Sequence, residues 1–105
     1  MFKTSIIIPT YHRPKELANC IQSVLDQSVK PDELIIVDDG NLAEIPLKKE
    51  CDEFHIRTVY YQKDSPGLTE SRNQGIKLAS GEIIFFLDDD VVLFPNYLEE
   101  VIKVY

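Results

Sequence analysis

Three short stretches of this chain are apolar or β-branched almost throughout and then stop abruptly in polar residues. Thr4–Ile8 runs into Pro9-Thr10-Tyr11-His12-Arg13, Leu34–Val37 into Asp38-Asp39-Gly40, and Ile83–Leu87 into Asp88-Asp89-Asp90. Runs of this length without polar alternation are buried strands of a sheet covered on both faces. The segments between them have a helical period instead. Pro14 suits a first helical position, Leu17, Ile21, Val24 and Leu25 form one apolar stripe, and Pro31 stops that helix.

The rest of the chain continues the alternation. Asn41–His55 is polar and poorly periodic, a loop with one helical turn at Leu47–Cys51, and Arg57–Gln62 alternates enough for a strand nearer an edge. Ser65-Pro66-Gly67 is a turn, and Leu68–Ala79 a helix closed by the C-cap pair Ser80-Gly81. Pro95 opens a last helix whose stripe is Leu98, Val101, Ile102 and Tyr105. This order predicts an α/β fold: a Rossmann-like parallel sheet with right-handed crossovers and helices on both faces. The strand at Ser5–Ile8 should be central, flanked by those at Leu34–Val37 and Ile83–Leu87.

With 105 residues there is enough chain for one domain with a real core and too little for two, so 1–105 is expected to form a single unit. Five of the 18 acidic residues are Asp38, Asp39, Asp88, Asp89 and Asp90. The remaining 13 acids nearly balance the 11 basic residues. The net charge of −7 is therefore partly local, which suggests a cation site more than a generally repulsive surface. No basic stripe suits a nucleic-acid backbone, so nucleic acid is not an expected partner.

Cys20 falls on an apolar helical face and reads as a buried core thiol, whereas Cys51 lies in a polar, charged stretch. Neither has metal-ligand spacing, and both fit a reducing compartment. The Ile6-Ile7-Ile8 run is too short for a signal-peptide core or a membrane span. The expected location is the cytoplasm, or the cytoplasmic face of a membrane if a longer protein carries an anchor.

In an open parallel sheet, ligands bind beyond the carboxyl ends of the strands, where strand order reverses. All three polar clusters follow strands, so a parallel sheet brings them to one edge. Three successive aspartates repel one another unless a cation or donors compensate. A divalent ion held by one or two carboxylates, waters and substrate phosphates supplies that compensation. A solvated acidic turn is the plain alternative, but the wholly apolar strand before it and the second acidic pair on the same edge favour the metal. Asp38-Asp39-Gly40 is equally a plain turn or a pair in which one carboxylate accepts from a nucleobase N–H while the other orients the loop. Tyr11 can stack on a nucleobase or simply cover the helix start. His12 reads as a surface residue, while Arg13 or Arg72 can neutralise a diphosphate or stand solvated on a helix.

Taken together these residues resemble family 2 glycosyltransferases of the GT-A fold, over the whole chain. The match is carried by Ser5-Ile6-Ile7-Ile8-Pro9-Thr10-Tyr11, Ile36-Val37-Asp38-Asp39-Gly40, the segment Pro66–Ile76, and Phe86-Leu87-Asp88-Asp89-Asp90, in that order and spacing. The resemblance implies a nucleotide-diphospho-sugar donor (UDP-, GDP- or dTDP-linked) and Mn²⁺ or Mg²⁺. It places Pro9, Thr10 and Tyr11 in the loop that touches the nucleoside and makes Asp39 the carboxylate that reads the base. Asp88–Asp90 match the family's Asp-x-Asp element. Asp88 and Asp89 would lie near the ribose and diphosphate, and Asp90, with Asp88, would be the metal ligands. Arg72 matches a basic position near the donor.

The reaction implied is direct displacement at the anomeric carbon with inversion. In such enzymes the general base and the pocket for the acceptor (saccharide, lipid or protein) come from a later segment, and no candidate for either is visible. The chain is accordingly expected to be a donor-binding half, cut short at its C-terminal end, inactive alone and prone to form homo-oligomers. Two other classes fit less well. A metal-dependent nucleotidyltransferase wants a Gly-rich basic loop after the first strand, where Pro9-Thr10-Tyr11 has no glycine. A Mg²⁺-binding phosphoacceptor signalling domain wants an acidic pair after the first strand, and here the acids follow the later ones.

Overall fold

A computed structural model describes residues 2–63 and 67–105, so Ser65 and Pro66 of the expected turn lie outside the described residues. The elements run β1 (Thr4–Thr10), α1 (Pro14–Leu25), β2 (Glu33–Asp38), α2 (Lys48–Glu53), β3 (Arg57–Gln62), α3 (Leu68–Leu78), β4 (Ile83–Phe86) and α4 (Tyr97–Ile102). The sheet is parallel throughout, in the order β3-β2-β1-β4. Strand β1 is central as expected, with Ile7 level with Ile35 on one side and Phe86 on the other.

Alternate residues of the inner strands feed two cores. Ile6, Ile8, Leu34 and Ile36 pack with Leu17, Cys20, Ile21 and Val24 of α1, with Cys51 of α2 and with Leu98 of α4. Ile7, Ile35 and Val37 face the other way, toward Leu78 and Ala79 at the end of α3. That second layer is thin, and α3 lies close to the sheet. A Cβ added at Gly75 would come within 2.4 Å of the Ile7 Cγ2. Because β-branched Ile7 is stiff and central, only glycine lets α3 approach so closely.

Several boundaries differ from expectation for identifiable reasons. Strand β1 continues through Pro9 to Thr10, which pairs with Asp38. Ile7 accepts a bond from Leu87 on the β4 side, and Thr10 accepts one from Asp39 on the β2 side. Alternation therefore turns Pro9 toward β4, which has already ended at Phe86, so its missing N–H breaks no ladder. The helical turn expected at Leu47–Cys51 is α2, Lys48–Glu53; it turns Cys51 fully inward from a charged surface.

The Ser80-Gly81 cap is corrected as well. Helix α3 ends at Leu78, its cap Ala79 is already extended, and Gly81 has no left-handed φ. Gly81 is instead pressed against β1, where a Cβ would sit 2.4 Å from the Ser5 Oγ. Strand β4 is an edge, and α3 covers β1 and β2 in preference to it, which leaves Phe86 43% exposed. Among the described residues no helix is long and apolar enough to cross a membrane.

At the amino ends of the strands, Glu33 is a wholly buried carboxylate. It accepts from the Ser5 hydroxyl (2.8 Å), the Ser80 amide (2.8 Å), the Ser80 hydroxyl (3.0 Å) and the Arg57 guanidinium. One side chain thus ties together β1, β2, β3 and the connection into β4. Burial alone would push its carboxyl up, but the bonds from Ser80, Ser5 and Arg57 outweigh burial and hold it below the usual carboxylate range. A lowered folded value gives stability that is present above the unfolded value and is lost as pH falls through the folded one. We therefore expect Glu33→Gln to lose about 1–3 kcal/mol at pH 7, since donors are left imperfectly met. Its stability should also fall less steeply than that of the wild type below the usual carboxylate range. Urea unfolding from pH 7 downward checks both, and identical acid limbs would show that Glu33 is not their source.

Candidate functional site

The carboxyl ends of β1, β2 and β4 and the first residue of α3 surround an open cavity of about 400 Å³. Its lining is Pro9, Thr10, Tyr11 and Arg13 after β1, Asp39 after β2, Asp88, Asp89 and Asp90 after β4, and Leu68 of α3. The chain steps from β1 outward to β2 and β3, then returns to the opposite side of β1 for β4. The cavity therefore lies at the switch point, where neighbouring connections leave in opposite directions and cannot fill the gap between them.

The three consecutive aspartates divide by direction. Asp89 is buried; its Oδ2 accepts from the Thr10 hydroxyl at 2.9 Å, and its Oδ1 lies 3.6 Å from the Arg13 guanidinium. Asp88 and Asp90 on either side of it are exposed. Arg13 also approaches Asp90, at 3.5 Å, so one half-exposed cation offsets two of the three charges. The Asp88 carbonyl accepts from Val91 N–H at 3.2 Å, and the Cys20 thiol stands 3.7 Å behind it. Among the described residues, no group of three His, Cys, Asp or Glu side chains converges to hold an ion unaided.

The Asp38-Asp39 pair divides in the same way. Asp38 is wholly buried and orients the loop. Its Oδ1 accepts from Gly40 N–H (2.7 Å), and its Oδ2 accepts from Leu42 N–H (2.9 Å) and the Tyr60 hydroxyl (2.6 Å). Burial and then Asp38 push the Tyr60 hydroxyl up to about 12, so it remains a donor. Asp39 instead reaches the cavity. Behind it stands the Lys63 ammonium, 3.2 Å from Oδ1.

Of the residues singled out from sequence, Pro9, Thr10, Tyr11, Arg13, Asp39, Asp88, Asp89 and Asp90 meet around this cavity. Arg72 does not: it is exposed on α3, and Leu68 is the α3 residue in the lining. Tyr11 is 56% exposed at the rim, its ring 4.2 Å from that of His12 and tilted by 52°. Glu70 leans toward Lys63 at 3.9 Å, and Glu99 accepts from Ser28. Sequence reasoning passed over Leu68 and Lys63. The signal for Lys63 was its place directly after β3, a fourth strand end to which the same rule applies.

The family model for glycosyl transferase family 2 matches residues 5–105. The chain is 37% identical over 101 residues to the uncharacterized glycosyltransferase YwdF of Bacillus subtilis, covering 96% of this chain and 37% of that one. It is 33% identical over 102 residues to the glycosyltransferase GlyG of Streptococcus pneumoniae, covering 90% and 32%. Among solved structures, TarS 1-349 of S. aureus in complex with UDP superimposes with a TM-score of 0.75 at 25% identity, over 96% of this chain and 31% of that one. The chain thus spans about a third of the length of each.

Both cysteines are buried and unpaired. Burial, and then Asp89, Asp90 and Asp88, push the Cys20 thiol up to about 12. Burial, and then Asp52 and Glu50, push Cys51 up to about 11. Reactivity requires the thiolate and access to it. We expect no thiol to react with an aromatic disulfide reagent at pH 8 in the folded protein, and both to react in guanidinium chloride. One fast-reacting thiol per native chain would contradict this burial.

Proposed function

The chain belongs to glycosyl transferase family 2, and from that membership we propose that it forms the donor- and metal-binding half of an inverting glycosyltransferase. The donor would be a nucleotide-diphospho-sugar and the acceptor a hydroxyl group. The observation that carries this reading is the cavity at the switch point, with Asp39 on one wall, Asp88 and Asp90 on the other, and Pro9–Tyr11 between them. The likeness to a protein solved with UDP supports a uridine nucleotide as the first donor to test.

The residues fit a hard divalent cation, Mn²⁺ or Mg²⁺. Asp89 is buried and bonded to Thr10, so the exposed Asp88 and Asp90 are the carboxylates that would hold an ion, Asp90 giving up its 3.5 Å approach to Arg13. Two carboxylates with phosphates and waters are a usual arrangement for such ions, and they account for the lack of a three-residue cage among the described residues. When bound, the ion would act as a Lewis acid on the departing diphosphate. The protein's own contribution is to orient the donor. Tyr11 offers a ring face to the base, Asp39 accepts a base N–H, and Thr10 fixes the acidic turn through Asp89.

In the displacement, the acceptor oxygen bonds to the anomeric carbon as its bond to the diphosphate oxygen breaks. The acceptor proton passes to a base that we place outside these residues, in the part of the relatives beyond the matched third. The nucleotidyltransferase and phosphoacceptor alternatives are set aside by the family match.

Asp90→Ala should lower Mn²⁺ affinity and UDP affinity together, because Asp90 would hold the ion whose charge would offset that of the diphosphate. Asp39→Ala should weaken UDP roughly tenfold or more, as for loss of a charged hydrogen bond, while leaving metal affinity nearly unchanged. Calorimetric titration of UDP with and without Mn²⁺ measures both. Equal metal losses in the two variants would defeat this division of roles.

A further inference from the structure

Strand β3 delivers a buried cation to the site. Lys63 follows it directly, and its side chain is only 6% exposed. An ammonium is costly to bury unless it is paired and hydrogen-bonded. Lys63 donates to the Gly67 carbonyl (2.7 Å) and the Ser71 hydroxyl (3.1 Å), and its Nζ lies 3.2 Å from the Asp39 Oδ1. That Oδ1 is shut off from solvent and makes no hydrogen bond among the described residues, so the Lys63 charge is what compensates it. The other oxygen, Oδ2, accepts from Gly67 N–H at 3.4 Å, too long to saturate it.

We propose that Lys63 is a positioning residue for base recognition: it clamps the Asp39 Oδ1 and leaves Oδ2 to accept the imide N–H of a uracil-type base. The proposal rests on the reading of the cavity as a nucleotide-sugar site. An ionised carboxylate only accepts hydrogen bonds. Uracil presents N3–H to such an acceptor, whereas cytosine presents a lone pair at N3 and is repelled. Discrimination then depends on holding the carboxylate in one orientation. The bond to the Gly67 carbonyl in turn fixes the ammonium, and so the orientation in which it holds Asp39.

The test is calorimetric titration of UDP and CDP, in the presence of Mn²⁺, into the wild type, Lys63→Met, Asp39→Asn and the double variant. Unfolding of each is followed separately by circular dichroism. Methionine keeps most of the stem and removes the charge. The wild type should prefer UDP over CDP by roughly tenfold or more, the scale of one charge-assisted hydrogen bond. Lys63→Met should lose most of that ratio. The double variant should bind UDP no more weakly than Asp39→Asn alone, because Lys63 acts through Asp39; independent effects would add.

A folded Lys63→Met that keeps the wild-type ratio overturns the proposal and leaves the nucleotide site standing. Should Lys63→Met fail to fold, the double variant, which removes both charges, decides: a further loss beyond Asp39→Asn overturns the proposal. A wild type that binds neither nucleotide overturns the nucleotide-site reading, and the role of Lys63 with it.

Discussion

Strand β1 is enclosed on every side. Ile6, Ile7 and Ile8 have no exposure, β2 and β4 occupy both edges, α1 packs on one face and α3 on the other. A strand so placed has no room for polar side chains along its middle, since each would have to be buried without water. Polar function is confined to its ends. At the amino end Ser5 meets Glu33 and the Gly81 amide, and at the carboxyl end Thr10 meets Asp89. Closure of the second core depends on Gly75, which lies against Ile7 where a Cβ would come within 2.4 Å of its Cγ2.

The carboxyl end then has to solve an electrostatic problem. Five aspartates gather there with little solvent around some of them, and like charges so close are unfavourable. The fold separates them by direction. Asp38 and Asp89 turn inward and are met by backbone amides, hydroxyls and Arg13, which converts two repelling charges into structural anchors. Asp88 and Asp90 face out, and Asp39 is held halfway by Lys63. Each inward anchor sits beside an outward-facing acid, so the loops that carry the outward acids are pinned by their own neighbours. Preorganisation of that kind lets a ligand meet oriented acceptors without having to order them.

The second edge of the sheet shows the same economy from another side. Strand β4 is short, lies outside the cover of α3 and leaves Phe86 partly exposed, with Val92 and Phe94 exposed just past the acidic turn. Its pairing with β1 stops at Phe86, and Leu87 makes the last bond before the chain turns into Asp88. That early end leaves room for the cavity: a longer β4 would pair with Pro9, which has no N–H to offer, and would draw the acids away from Thr10.

Much of this was legible in the sequence because it rests on local patterning. Uninterrupted apolar runs determine strands, helical stripes determine helices, and their alternation determines a parallel sheet whose polar strand ends must meet; Thr10, Asp39 and Asp88–Asp90 could be named on that ground. Residues whose role depends on through-space partners could not. Cys51 read as part of a polar, charged stretch, nothing in the local pattern singled out Glu33 or Lys63, and the side chain of each is buried only because of what packs over it. Arg72, plausible from its motif, stands one turn further along α3 than Leu68, which is the α3 residue in the cavity lining. By itself the sequence determined the elements, their order and the edge at which the acids collect, since periodicity and chain connectivity are local properties. Which aspartate turns inward, which cation answers it and which helix face meets the cavity were decided only by the tertiary structure, because burial and charge pairing depend on distances between residues far apart in the chain.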